Sequence, residues 1–151
     1  MKIYAVVGPT ASGKSALALE LARRHGGEII SCDSMQIYKS MDIGTAKPTP
    51  EEMARVPHHM IDIVEPDCPF SCADYVKLAS EAISDVSSRG KLPIVCGGTG
   101  LYLDALLRGS GFSEESDPDL DLRRELLEFA EKNGKDALYE ELQRFDPESA
   151  L

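Results

Sequence analysis

Residues 3–15, IYAVVGPTASGKS, run an apolar stretch straight into a glycine-rich turn, and a helical pattern, KSALALELARRHGG, follows at once. The spacing Gly8-x-x-x-x-Gly13-Lys14-Ser15 is that of a phosphate-cradling loop. Its glycines let successive backbone N–H groups turn inward, and Lys14 adds a positive charge. The helix that begins there contributes about half a charge more. Gly8, Pro9, Thr10, Ala11, Ser12, Gly13, Lys14 and Ser15 are therefore the expected anion-binding residues, with the Ser15 hydroxyl placed to ligate Mg²⁺. The mechanism demands a strand before this loop and a helix after it, and the pattern supplies both. What the loop holds stays open: a nucleotide whose terminal phosphoryl group moves, or a diphosphate that leaves from something else.

The flanking text extends the motif into a fold. Leu17 and Leu21 lie one turn apart, with Ala18 and Ala22 beside them, and Gly26 stops the helix after Arg23, Arg24 and His25. EIISC (28–32) reads as a second buried strand and LPIVC (92–96) as a third. A helix over 72–89 is expected from Val76, Ala79, Ile83 and Val86, with Ser71 as its N-cap and Gly90 at its end. GGTG and the apolar LYLDALL then predict a short helix, and the proline-rich text from Met35 to Phe70 reads as irregular. Strand, helix and strand in succession imply a parallel sheet. The expected class is α/β, a P-loop NTPase-like sheet with flanking helices in residues 1–110. Beyond residue 110 two further helices are expected, around Leu122–Phe129 and Leu138–Phe145, separated by Asn133-Gly134. GSGFSEESDPDLD (109–121) reads as the boundary. Three strand candidates, where about five are usual, make the chain read as the N-terminal portion of something longer.

Charge narrows the partners. The first 110 residues carry 13 acids against 11 bases, and the last 41 carry 13 against 5. Neither part has the basic stripe of a self-sufficient nucleic-acid binder. No apolar run approaches the ~20 residues that cross a membrane, and MKIYAVVGPT lacks a signal-peptide pattern, so a cytoplasmic protein without a membrane partner is expected. Cys32 and Cys96 read as small buried hydrophobes. Cys68 and Cys72, with His58 and His59, match no standard zinc spacing.

In an open parallel sheet, ligands collect outside the carboxyl ends of the strands. The phosphate loop follows the first strand, Asp33-Ser34-Met35-Gln36 the second and Gly97-Gly98-Thr99-Gly100 the third, so all three face one crevice. A carboxylate beside a bound anion is repelled unless it serves a second substrate or the metal, which gives Asp33 a chemical role. Thr99 reads equally as a helix cap or as a ligand contact.

Four stretches in order, GPTASGKS, DSMQIYKSMDIGTAKP, HHMIDI and GGTGLYLDALL, resemble the tRNA dimethylallyltransferases. The resemblance is dense over residues 3–109 and looser beyond, where residues 111–151 resemble the start of the family's helical, tRNA-contacting insertion. It implies transfer of a dimethylallyl group from dimethylallyl diphosphate to N6 of the adenosine 3′ to the anticodon of tRNA, with Mg²⁺, by a monomer. Asp33 would then be the general base, and Thr99 would line the reaction channel, as would Thr10. Ser34, Met35 and Gln36 would meet the extruded base, the Gln36 amide reading an adenine edge. Asp33, Thr99 and Arg123 would also contact tRNA, with Arg124 a competitor for Arg123. His58 and His59 belong to the pattern, but packing explains them as well. Three rivals keep the crevice. One is a small-molecule kinase that binds ATP in the loop, against which stands the single Arg55 in residues 35–70. The others are prenyl transfer to free adenine nucleotide, and a nucleotide-binding switch without turnover.

Overall fold

The computed structural model describes residues 2–108 and 119–150. The chain divides into two compact units, Met1–Phe112 and Ser113–Leu151. The expected hinge at 109–121 lies largely outside the described residues.

The first unit is an α/β layer structure. Strands β1 (Tyr4–Val7), β2 (Gly27–Cys32), β3 (His58–His59) and β4 (Leu92–Gly97) form one parallel sheet in the order β1-β4-β2-β3. Alternation along the strands divides the core. Ile29 and Ile94 face helix α1 (Lys14–His25), whose Ala18 and Ala22 are small enough to let it lie close to the sheet. Ile30 and Val95 face the other way, onto Tyr75, Ala79 and Ile83 of α3 (Cys72–Ser88) and Tyr102 of α4 (Gly100–Arg108). Tyr75 and Tyr102 stack at 4.2 Å, and the Tyr75 hydroxyl donates to the Ser31 carbonyl at 3.1 Å. The expected caps are in place: Gly26 is left-handed at φ 63°, and Ser71 closes a capping box with Asp74.

Two elements differ from the irregular reading of residues 35–70. Helix α2 (Pro50–Arg55) is one and a half turns started by Thr49, which forms a capping box with Glu52 and has proline at the first helical position. Thr-Pro-Glu-Glu carried that signal in the sequence. Strand β3 is two residues long, beneath the reach of any periodicity. It exists because Ile29 and Ile30 pair with His58 and His59, and because the Ile29 N–H donates to the Pro57 carbonyl at 3.0 Å.

A buried polar cluster ties the opposite end of the sheet together. Glu28 is 2% exposed. Its carboxylate accepts from Arg89 at 2.5 and 2.7 Å, and lies 3.0 Å from Lys91 and 2.8 Å from His59 Nε2. One side chain thus joins β2, β3, the end of α3 and the start of β4. His59 matches the packing role expected of it.

The second unit is a helical pair, α5 (Leu120–Asn133) and α6 (Lys135–Phe145), broken at Gly134 with φ 91°. Asp119 caps α5 by accepting from Leu122 N–H at 2.8 Å. Among the described residues no helix is long and apolar enough to cross a membrane.

Candidate active site

The loop Gly8–Gly13 leaves the end of β1 and enters α1 through two left-handed residues, Ala11 at φ 63° and Gly13 at φ 84°. Glycine takes this conformation freely, whereas Ala11 holds it at a cost. The Ser12 N–H donates to the Pro9 carbonyl at 3.3 Å, and Lys14 Nζ folds back onto the same carbonyl at 3.2 Å. The turn is thereby closed around a concave backbone. Gly98 sits directly behind it, where an added Cβ would stand 3.4 Å from the Gly8 carbonyl.

The two other strand ends are latched to each other. The Thr99 N–H donates to the Cys32 carbonyl at 3.1 Å, and the Ser34 N–H donates to Thr99 Oγ1 at 3.0 Å. Gly97 permits this approach, since any Cβ there would collide with the Cys32 carbonyl. The Thr99 carbonyl also accepts from Leu103 N–H at 3.2 Å, so Thr99 starts α4 and bridges to β2 at once. Asp33 Oδ1 accepts from the Met35 N–H at 2.9 Å and from the Gln36 N–H at 3.4 Å. Such a turn sets the direction of the carboxylate and leaves its second oxygen without a partner among the described residues.

Asp33 lines a cavity of about 500 Å³ together with Thr10, Lys14, Ser15, Met35 and Gln36. Thr99 lines a smaller neighbouring cavity of about 200 Å³, with Gly8, Pro9 and Gly98. Gly97 borders both. The anion loop thus stands between the two spaces, one carrying the aspartate and the other the threonine. Met35 is 44% exposed at the larger one.

Gln36 differs from its expected role. Its Oε1 accepts from Ser31 Oγ at 2.9 Å, and its Nε2 donates to the Thr45 and Ala46 carbonyls, both at 3.1 Å. Both N–H donors are engaged within the protein and the oxygen accepts one hydrogen bond, so reading an adenine edge with both ends of the amide would require Nε2 to leave the Thr45 or Ala46 carbonyl. Sequence order alone could not show this, because the partners are a turn nine and ten residues downstream.

Residues to which the sequence reading gave no place in the site complete the larger cavity. They include Thr45, Lys47, His58 and Ile61. Burial lowers the His58 pKa, and Nδ1 lies 2.7 Å from the Val56 carbonyl, where it serves as donor. Lys47 is nearly buried yet charged. On the second unit, Arg124 is engaged with Asp121 at 2.9 Å, whereas the Arg123 side chain has no partner among the described residues. The four cysteines are free thiols. Among the described residues no three His, Cys, Asp or Glu side chains converge as a metal site. The oxygen donors that line the larger cavity near the loop are the Thr10 and Ser15 hydroxyls and the Asp33 carboxylate, the hard ligands that a cation such as Mg²⁺ takes.

Comparison with known proteins agrees with this geometry. The family model described as IPP transferase matches residues 36–151, and that described as isopentenyl transferase matches residues 1–69. The tRNA dimethylallyltransferase of Thermoanaerobacter sp. (strain X514) is 52% identical over 99% of this chain and 47% of its own length. The tRNA dimethylallyltransferase 1 of Pelobacter propionicus is 55% identical over 99% of this chain and 48% of its own. The chain spans about half the length of the curated relatives it matches. Among solved structures, the tRNA isopentenylpyrophosphate transferase of Bacillus halodurans superposes with a TM-score of 0.72 at 48% identity, covering 99% of this chain and 49% of that one. A eukaryotic dimethylallyltransferase acting on tRNA gives 0.77 at 34% identity, over 98% of this chain and 36% of that one. With a glycine-rich loop at the end of β1, an oriented aspartate at the end of β2 and a family model spanning most of its length, the chain belongs to the IPP transferase family.

Proposed function

We propose that this chain carries the donor site and the catalytic base of a tRNA dimethylallyltransferase. The reaction would move the dimethylallyl group of dimethylallyl diphosphate to N6 of the adenosine 3′ to the anticodon and release diphosphate. The observation that carries the reading is the single cavity lined by Asp33, Thr10, Lys14 and Ser15, which sets a carboxylate and an anion cradle against one space.

The adenine N6 amine is a poor nucleophile because its lone pair is shared with the ring. Its attack needs an acceptor for its proton and a leaving group ready to depart. In this reading the N6–carbon bond forms as the carbon–oxygen bond to diphosphate breaks, and the N6 proton passes to the free carboxylate oxygen of Asp33. The N–H groups of the loop residues Thr10, Ala11 and Gly13, the start of α1 and Lys14 receive the charge that grows on the departing diphosphate. Ser15 would hold Mg²⁺, which would supply further neutralisation of that charge. Met35 offers an apolar thioether surface to a base drawn out of its stack. Ser34 and Thr99 latch the floor on which that base rests, and Arg123 reaches for phosphate elsewhere on the RNA. Gln36 acts by holding the cavity wall.

The test offers labelled dimethylallyl diphosphate to tRNA and to AMP side by side, with wild-type protein and Asp33→Ala. Label is expected in tRNA and not in AMP. The variant should lose at least a hundredfold in rate while dimethylallyl diphosphate still raises its melting temperature. Undiminished transfer by Asp33→Ala removes the aspartate from its role as base. Thermal protection by ATP with none by dimethylallyl diphosphate would return the site to the kinase reading.

A further inference from the structure

The order of the strands gives the larger cavity two ends. β1 delivers the anion loop at one edge of the sheet, and β3 stands at the other, three strand spacings or roughly 14 Å away. The wall on the β3 side is a strap, Gly44–Pro48, backed by His58 and Ile61. Its backbone is held in a shape that its residues do not favour. Ala46 lies at φ 50°, and Ser40, Met60 and Asp62 in the adjoining turns lie at 60°, 63° and 54°. Residues other than glycine stay left-handed only where their surroundings over-determine them, and such positions gather at functional sites.

Lys47 is that surrounding. Its side chain is 6% exposed. The ammonium donates to Asp62 Oδ1 at 2.6 Å, to the Tyr38 carbonyl at 2.7 Å and to Asp42 Oδ1 at 2.9 Å. Its three hydrogens are matched by three acceptors, one each from Tyr38, Asp42 and Asp62. Burial opposes the charge, but Asp62 and Asp42 outweigh it and hold the pKa above the ordinary lysine value. A lysine so satisfied neither takes a proton from a substrate nor grips an anion. From the cavity side, Gln36 fastens the same strap through the Thr45 and Ala46 carbonyls.

We propose that Lys47 is a positioning residue for the acceptor: by stapling the strap to the turns at 38–42 and 62 it sets the wall against which the incoming base is held in line with Asp33, and it leaves the anion cradle alone. The inference rests on the transfer reading above. A built-in control exists. Lys39 and Glu65 join the same two stretches at 2.6 Å, but both side chains are about half exposed and neither lines the cavity.

The experiment compares wild type, Lys47→Met, Asp62→Asn and Lys39→Met. It reads kcat and KM for tRNA, affinity for dimethylallyl diphosphate and for inorganic diphosphate, and hydrogen exchange of the amides in residues 44–47. Lys47→Met should lower kcat/KM for tRNA at least tenfold and speed exchange in the strap, with diphosphate affinity within twofold of wild type. Asp62→Asn, which keeps the lysine and removes one acceptor, should show the same pattern more weakly, and it decides the matter if Lys47→Met does not fold. Lys39→Met should match wild type. Equal losses of tRNA efficiency and diphosphate affinity would make Lys47 a general stabiliser and overturn the proposal. So would unchanged strap exchange, or the same defect in Lys39→Met. Should wild type transfer no prenyl group at all, the transfer reading fails by itself. The exchange and diphosphate measurements need no turnover and still decide whether Lys47 holds the wall.

Discussion

Glu28→Gln tests how the far end of the sheet is held. The carboxylate is 2% exposed and touches two cations and the His59 ring, so neutralising it leaves Arg89, Lys91 and His59 facing an amide. One amide oxygen can still accept from Arg89, but the NH₂ group now opposes donors where an acceptor stood. Breaking a buried pair by removing one partner costs ~3–5 kcal/mol. Here the orphaned Arg89 and Lys91 side chains are 40% and 46% exposed and recover hydration, which discounts the loss to about 2–3 kcal/mol. For a unit of this size that is a fall of roughly 10 °C in melting temperature. The pH dependence is the sharper signature. Arg89 above all, helped by His59 and Lys91 and opposed by burial, holds the Glu28 pKa well below its ordinary value of 4.5. A depressed folded pKa contributes stability that is complete above the unfolded pKa and drains away as pH falls toward the folded one. Urea titrations of wild type and Glu28→Gln should therefore differ by a constant amount from pH 8 to about 5, and converge below about 4.5. A difference under about 0.5 kcal/mol at pH 7, or one that persists undiminished at pH 3, would refute the reasoning.

Two further substitutions read the latch between β2 and β4. Thr99→Val removes the acceptor for the Ser34 N–H. It should cost about 1 kcal/mol in urea unfolding and lower prenyl transfer at least tenfold, with Thr99→Ser restoring both; failure of Thr99→Ser to rescue would show that the hydroxyl alone does not make the latch. Gly97→Ala puts a Cβ into the Cys32 carbonyl, and should cost on the order of 3 kcal/mol or more. A wild-type urea midpoint and normal soluble yield for that variant would mean that the two strands part more easily than their pairing implies.

What the sequence determined by itself was everything whose cause is local. The apolar run, the glycine loop and the helix after it are legible because strand, turn and helix each follow from the residues within a few positions. The same holds for Gly26, Ser71 and Gly134 at the helix ends. The rule that ligands gather at strand carboxyl ends then drew Asp33 and Thr99 toward the loop without coordinates, and the folded chain sets them in two cavities that share Gly97. Tertiary structure decided what depends on partners far along the chain. His58 and His59 became a strand only through Ile29 and Ile30, and Glu28 is buried only because Arg89, sixty-one residues later, arrives to neutralise it. Gln36 was turned from a candidate reader of bases into a brace by carbonyls at 45 and 46, and Lys47 acquired its place from a carboxylate at 62. The physical reason is common to all four. A backbone preference acts over a turn of chain, whereas the fate of a polar side chain depends on which acceptor or donor the completed fold brings within 3 Å.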